Sequence, residues 1–206
     1  LLARASEIAA SLGTEIAGLL ARTIGELCEG QILELQSTFK PSRTEESYEQ
    51  SIAGKTASLL STACRIGGLT GGLERDTVDQ LTDFGHSYGM AFQIVDDILD
   101  VIATEDQLGK PTGNDLIEGV YTLPVLLALE SDLGSQLHDL LGKELDTKSR
   151  DRALGLIRST DAVEKAFDRA QYWALKAKAS LESLPPSPAT NALFAATSHL
   201  LEQAHN

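Results

Sequence analysis

The chain of 206 residues is long enough for one continuous core, and its composition, 42% hydrophobic and 5% aromatic with Ala and Leu dominating over Val and Thr, favours helix over sheet. A net charge of −13 argues against nonspecific nucleic-acid binding, and no basic run marks a contact with an anionic membrane. No apolar stretch approaches the roughly 18–20 residues of a membrane span, and the N-terminus does not resemble a signal peptide.

Taken in chain order, Leu1-Leu2-Ala3-Arg4 is already in helical rhythm without Met or N-cap, and reads as the inside of a longer protein. This first helix runs to Leu12 and ends near Gly13. Thr14 is expected to cap a helix reaching about Gln36, with Ile16, Leu20, Ile24 and Leu27 on its apolar face. After a loop at Lys40-Pro41-Ser42-Arg43, Thr44 followed by Glu45 and Glu46 starts a helix to about Ile66, and Gly67-Gly68 and Gly71-Gly72 mark its break. The next helix spans about 76–103. Residues 108–119 carry Gly, Pro and Asn at turn positions and read as an irregular loop. Shorter helices follow at about 123–130, 133–141, 149–157 and 162–184, and Pro185, Pro186 and Pro188 separate off a last one at about 190–203. The expectation is an all-α bundle of long helices, forming one domain or part of one. Cys28 and Cys64 have no metal-type spacing and read as buried free thiols in a reducing cytoplasm.

The 76–103 helix carries the chemistry. Gln93, Asp96, Asp97 and Asp100 stand at i, i+3, i+4 and i+7 and so share one face, while Phe92, Ile94, Val95, Ile98, Leu99, Val101 and Ile102 occupy the others. A helix apolar nearly all round is normally buried, and three carboxylates on it are costly unless cations compensate them. Mg²⁺ takes one or two carboxylates, several waters and phosphate oxygens. The stripe therefore reads as a metal–diphosphate site on a cavity wall, in preference to an ordinary exposed acidic face.

Other residues are weighed against that site. Lys110 is the only Lys or Arg between Asp76 and Glu130, and is placed either to grip the same phosphates or as a solvated loop lysine. Lys55-Thr56 interrupts a stretch of small and apolar residues, so Lys55 either snorkels to solvent or faces a polar cavity. Gln31 and Glu34 share a helix face and line that cavity or form an exposed pair. His86 reads better as a core or surface histidine than as part of a site, and Gly85 and Gly89 allow close helix packing.

Taken together, Gly54-Lys55-Thr56-Ala57, Gly89-Met90-Ala91-Phe92-Gln93 with Asp96-Asp97-Ile98-Leu99-Asp100, Gly109-Lys110 and Thr122-Leu123-Pro124 resemble the trans-type polyprenyl diphosphate synthases, of the actinobacterial medium- or long-chain kind. The resemblance implies an isoprenoid synthase-type bundle of antiparallel helices around a central cavity, with its N-terminal helices missing, so that residues 1–206 are the C-terminal part of a single domain. It assigns Asp96, Asp97 and Asp100 to the second aspartate-rich motif, which helps hold Mg²⁺ against the allylic diphosphate. It gives the diphosphate to Lys55 and Lys110, the neighbourhood of the reacting carbons to Thr56 and Gln93, and cavity-lining roles to Gln31 and Glu34. Isopentenyl diphosphate is the second substrate, the released pyrophosphate takes the proton, and a cytoplasmic homodimer is implied.

Two departures stand out. The family's first aspartate-rich motif and its upstream basic residues are absent, Asp96-Asp97 being the only Asp-Asp pair, so the chain taken alone is expected to turn over little or nothing. Where many members have a lysine shortly before the T-x-P segment, this chain has Val120. A noncatalytic subunit of a heteromeric synthase and a terpene cyclase are the alternatives. In the complete protein, Asp96→Ala is expected to cost far more turnover than Asp115→Ala.

Overall fold

The computed structural model describes residues 1–103 and 112–204, and these are all-helical. In chain order they form α1 (Leu2–Ser11), α2 (Thr14–Gln36), α3 (Glu45–Ile52), a π-helical turn (Ala53–Ala57), α4 (Ser58–Thr70) and α5 (Arg75–Ile102). Then follow α6 (Asn114–Glu118), α7 (Leu123–Leu129), α8 (Gly134–His138), α9 (Thr147–Arg158), α10 (Ala162–Leu181) and α11 (Pro188–Gln203). No described helix is long and apolar enough to cross a membrane.

Local signals explain most of the boundaries. Thr44 accepts a hydrogen bond from Ser47 N–H at 3.1 Å and so caps α3, and Asp146 and Ser187 cap α9 and α11 in the same way. Pro188, expected before the last helix, is instead inside its first turn, where a missing N–H costs nothing. Thr14 does not cap α2. It is the first helical residue, and Gly13 at φ 114° turns the chain into it.

Three other expectations change. The helix after Thr44 runs through Gly67 and Gly68 to Thr70 and breaks only at Gly71-Gly72, because Gly68 is a packing position whose Cβ would sit 3.1 Å from Val78 Cγ2. The loop expected at 108–119 contains the short helix α6 between two left-handed glycines, Gly113 and Gly119. Cys28 is exposed and Cys64 half-buried, and burial pushes the Cys64 thiol up.

The long helix α5 is the spine. α4 and the π turn lie along one side of it and α10 along another. The α10 contact is a stripe of alanines, Ala166, Ala170, Ala174 and Ala177, none more than 1% exposed. Ile94, Val95, Ile98 and Val101 of α5 anchor the main core with Tyr121, Leu123 and Leu137. α2 crosses the π turn with its backbone almost touching. A Cβ on Gly30 would lie 2.5 Å from Lys55 N, and one on Gly54 would lie 2.7 Å from Glu26 O. That approach sets the position of the next turn of α2, which carries Glu34.

Candidate active site

A cleft of about 310 Å³ opens where α2, α3, the π turn, α5 and the 115–122 segment meet. Its walls include Glu34, Arg43, Tyr48, Lys55, Gln93, Asp96, Asp97, Asp115, Glu118, Val120 and Thr122. Among the described residues five carboxylates thus face two cations, Arg43 and Lys55.

Lys55 sits in the π turn, a local register shift found often at functional sites. Its Nζ meets Glu34 Oε1 at 2.7 Å, and Gln31 Nε2 donates to the same oxygen at 3.2 Å. Thr56, the next residue, donates its hydroxyl to Gln93 Oε1 at 2.7 Å. Gln93 Nε2 donates in turn to Asp97 Oδ1 at 2.9 Å, and the Tyr48 phenol donates to Asp97 Oδ2 at 2.5 Å. A chain of hydrogen bonds therefore links the π turn to α5 and back to α3.

The three aspartates of the stripe have different surroundings. Asp96 is exposed in the cleft and makes no side-chain hydrogen bond or ion pair among the described residues. Asp97 is 3% exposed, and burial pushes its carboxyl up to about 8 against the opposing effect of its hydrogen bonds from Tyr48 and Gln93. The neighbouring Asp115 and Asp96 carboxylates push in the same direction as burial. Asp100, 6% exposed, is not in the cleft wall; its carboxylate faces the backbone N–H groups of Asn114 and Asp115 at 3.4 and 3.3 Å, while its carbonyl accepts from Gly113 N–H. By the time α5 reaches Asp100 the returning chain lies across its face, and that return carries Asp115 and Glu118 into the cleft.

The structure thus gathers Glu34, Lys55, Gln93, Asp96 and Asp97 in one place, with Thr56 and Gln31 each one hydrogen bond behind. Lys110 lies outside the described residues. Asp115, the residue set against Asp96 in the sequence expectation, lines the cleft as well. His86 is elsewhere, edge-on to Trp173 at 5.8 Å, with its pKa lowered by burial and by Lys176.

Sequence reading passed over Tyr48 and Arg43. Tyr48 is 1% exposed, and burial with the Asp97 carboxylate holds its phenol protonated well above the usual tyrosine range. Arg43, 8% exposed, reaches Tyr121 O at 3.0 Å and Ser51 Oγ, and its guanidinium lies 5.4 Å from the centre of the Tyr48 ring. Burial lowers its pKa, while Glu34, Tyr48 and Asp97 act to raise it. Neither residue belongs to the helical stripe, which is why spacing gave no sign of them.

The donor set fits a hard divalent cation. No three His, Cys, Asp or Glu side chains among the described residues converge to hold a metal by themselves. An excess of carboxylates, with Asp96 exposed and without a side-chain partner among the described residues and Asp97 buried beside it, suits an ion that takes one or two protein oxygens and fills its shell from water and phosphate.

Residues 1–156 match the family model described as polyprenyl synthetase. Heptaprenyl diphosphate synthase component 2 of Geobacillus stearothermophilus is 38% identical over 194 residues, covering 94% of this chain and 61% of that protein. A polyprenyl synthase from Caulobacter crescentus, solved with calcium and isoprenyl diphosphate, superposes with a TM-score of 0.90 at 30% identity, over 97% of this chain and 62% of that one. A geranylgeranyl pyrophosphate synthase from Corynebacterium glutamicum, also with calcium and isoprenyl diphosphate, gives 0.87 at 35% identity, over 98% and 64%. The chain spans about three fifths of the length of these proteins.

Proposed function

The chain belongs to the polyprenyl synthetase family, and on that premise we propose that the complete protein is a prenyltransferase that joins an allylic diphosphate to isopentenyl diphosphate, giving a longer trans-polyprenyl diphosphate. The observation that carries this reading is the cleft itself: Lys55 and the Asp96-Asp97 pair share one cavity, with the Thr56–Gln93 hydrogen bond beside it. The two solved relatives hold calcium and isoprenyl diphosphate, which is the chemistry such a cleft would recognise.

In this reading Asp96, Asp97 and Asp100 would hold Mg²⁺, and Asp100 also ties α5 to the turn that carries Asn114 and Asp115. When bound, the metal would offset the charge of the diphosphate. Lys55 and Lys110 bind diphosphate oxygens, with Glu34 and Gln31 holding the Lys55 ammonium at the cleft wall. The allylic C–O bond breaks, its electron pair leaves with pyrophosphate, and positive charge spreads over the allyl group. Dipoles from Thr56 and Gln93, already held by hydrogen bonds, stabilise that charge without reorganising. The double bond of isopentenyl diphosphate then supplies the electron pair of the new C–C bond, and loss of a proton to pyrophosphate restores an alkene.

The test is prenyl transfer by the complete protein from labelled isopentenyl diphosphate onto an allylic diphosphate. The reading expects an extended allylic product with Mg²⁺ and none with EDTA. Failure to form any product with Mg²⁺ would overturn it. We further propose a cytoplasmic homodimer. One relative is named as a component of a synthase, so a mass in solution equal to one chain, with activity only after a second protein is added, would replace the homodimer with a heteromeric assembly.

A further inference from the structure

The Thr56–Gln93–Asp97–Tyr48 chain has a direction. Gln93 presents its oxygen to Thr56 and its nitrogen to Asp97. A threonine hydroxyl donates or accepts equally well, so Thr56 would tolerate either end of the carboxamide. Both Asp97 oxygens accept here, one from Gln93 Nε2 and the other from the Tyr48 phenol, so Asp97 is the member that holds the amide nitrogen on its side. Asp97 performs this only while its own plane is held. Its second oxygen takes the Tyr48 phenol at 2.5 Å, leaving both oxygens engaged by donors from different helices. Tyr48 is itself fixed from one face by Arg43, which is tied to Tyr121 O and Ser51 Oγ.

We propose that Tyr48 is a positioning residue that acts through Asp97 to lock the Gln93 carboxamide with its oxygen, not its N–H groups, on the Thr56 side. The proposal rests on reading the cleft as the site of allylic ionisation. There the sign of the amide dipole matters: the oxygen end favours a developing cation, and a reversed amide would oppose it. Oε1 keeps a second lone pair beyond the one used by Thr56, so the lock does not consume the dipole it orients. A substrate already bound through its diphosphate would feel the loss of the lock mainly in the ionisation step.

The experiment uses the complete protein with Tyr48→Phe and Asp97→Asn, followed by steady-state kinetics and by NMR of protein labelled at the glutamine side-chain nitrogen, with the Gln93 resonances identified by their loss in Gln93→Met. Tyr48→Phe is expected to lower kcat about 10–100-fold, in the range for groups that orient a metal-site ligand, with KM for the allylic diphosphate changed less than about threefold. The two Gln93 amide protons, distinct and slowly exchanging in the unaltered protein, are expected to shift and broaden in both variants. Asp97→Asn retains the volume but accepts through one atom and donates through the other, so it frees the amide without emptying the site. Unchanged Gln93 resonances in Tyr48→Phe, or a rise in KM that accounts for the whole loss of kcat/KM, would overturn the proposal. If the unaltered protein transfers no prenyl group, the functional reading fails, yet the Gln93 resonances still decide whether the lock exists.

Discussion

On the face that meets α3, the π turn and α4, the two halves of α5 are held in opposite ways. In the first half the helix is held by absence of side chain: a Cβ on Gly85 would lie 2.6 Å from Leu60 O, and one on Gly89 would lie 2.6 Å from Ala57 Cα. In the second half it is held by polar partners, Gln93 on Thr56 and Asp97 on Tyr48. These form one ladder. Steps of four along α5, from Gly85 to Gly89, Gln93 and Asp97, meet Leu60, Ala57, Thr56 and Tyr48 in turn. The first half accepts no added atom and the second accepts no lost partner, and the tight upper rungs fix where the polar lower rungs fall.

The largest effect is expected at the lower end. In the complete protein, Asp96→Ala should reduce prenyl transfer by at least about 10²-fold, the usual loss when a charge-stabilising group is removed. Its melting temperature should stay within about 2 °C, since an exposed side chain with no hydrogen bond or ion pair among the described residues carries little folding energy. Because Asp115 shares the cleft, the control is the exposed Asp139, whose replacement by Ala should leave turnover within about twofold. Equal losses from Asp96→Ala and Asp139→Ala would remove the metal assignment.

A change on the upper rungs should show the reverse pattern. Gly89→Ala forces a methyl against the Ala57 backbone and is expected to cost about 1–3 kcal/mol. That corresponds to a fall of roughly 2–12 °C in melting temperature for a protein of this size or somewhat larger. Gly155→Ala, on α9 with nothing within 4 Å of the new Cβ, should instead gain about 0.5–1 kcal/mol from reduced backbone entropy loss. Thermal melts of the two variants side by side separate close packing from helix propensity. A Gly89→Ala protein as stable as the parent would show that the ladder has slack.

The same division governs what was legible in the sequence. Gln93, Asp96 and Asp97 were visible because a 3.6-residue period places them on one face of an otherwise apolar helix. Asp100 has the same period yet meets the backbone at 114 and 115, because a stripe on paper carries no information about where the chain returns. Lys55 and Thr56 were visible as a polar interruption, but not the π turn that aims them, since periodicity does not register one inserted residue. Tyr48 was out of reach: its hydrogen bond to Asp97 spans 49 residues, and nothing local distinguishes it from an ordinary core tyrosine. Gly68 misled because close packing and chain breaking use the same residue.

Over a single pH unit the effects are smaller again, and there the halves of α5 should differ in sign. Asp97 has a folded value of about 8 against an ordinary 3.8, so between these values the folded state holds the proton more tightly. With divalent metal chelated, the protein should lose stability as pH rises toward 8, by at most about 1.4 kcal/mol per pH unit, and Asp97→Asn should flatten that slope. His86, in the upper half, faces Lys176 and Asp83, and burial with the Lys176 charge lowers its pKa from 6.5. Here the unfolded state takes the proton first, so stability from this residue is present above pH 6.5 and is lost as pH falls below it. Melting temperatures in EDTA should rise as pH falls from 8 toward 6.5 and then level off, because below 6.5 the His86 loss offsets the continuing gain from Asp97; His86→Gln should restore the rise on the acid side while leaving the slope near 8 intact. If His86→Gln alters the alkaline slope instead, the halves are coupled through the ladder, and the upper rungs sense the charge on the lower ones.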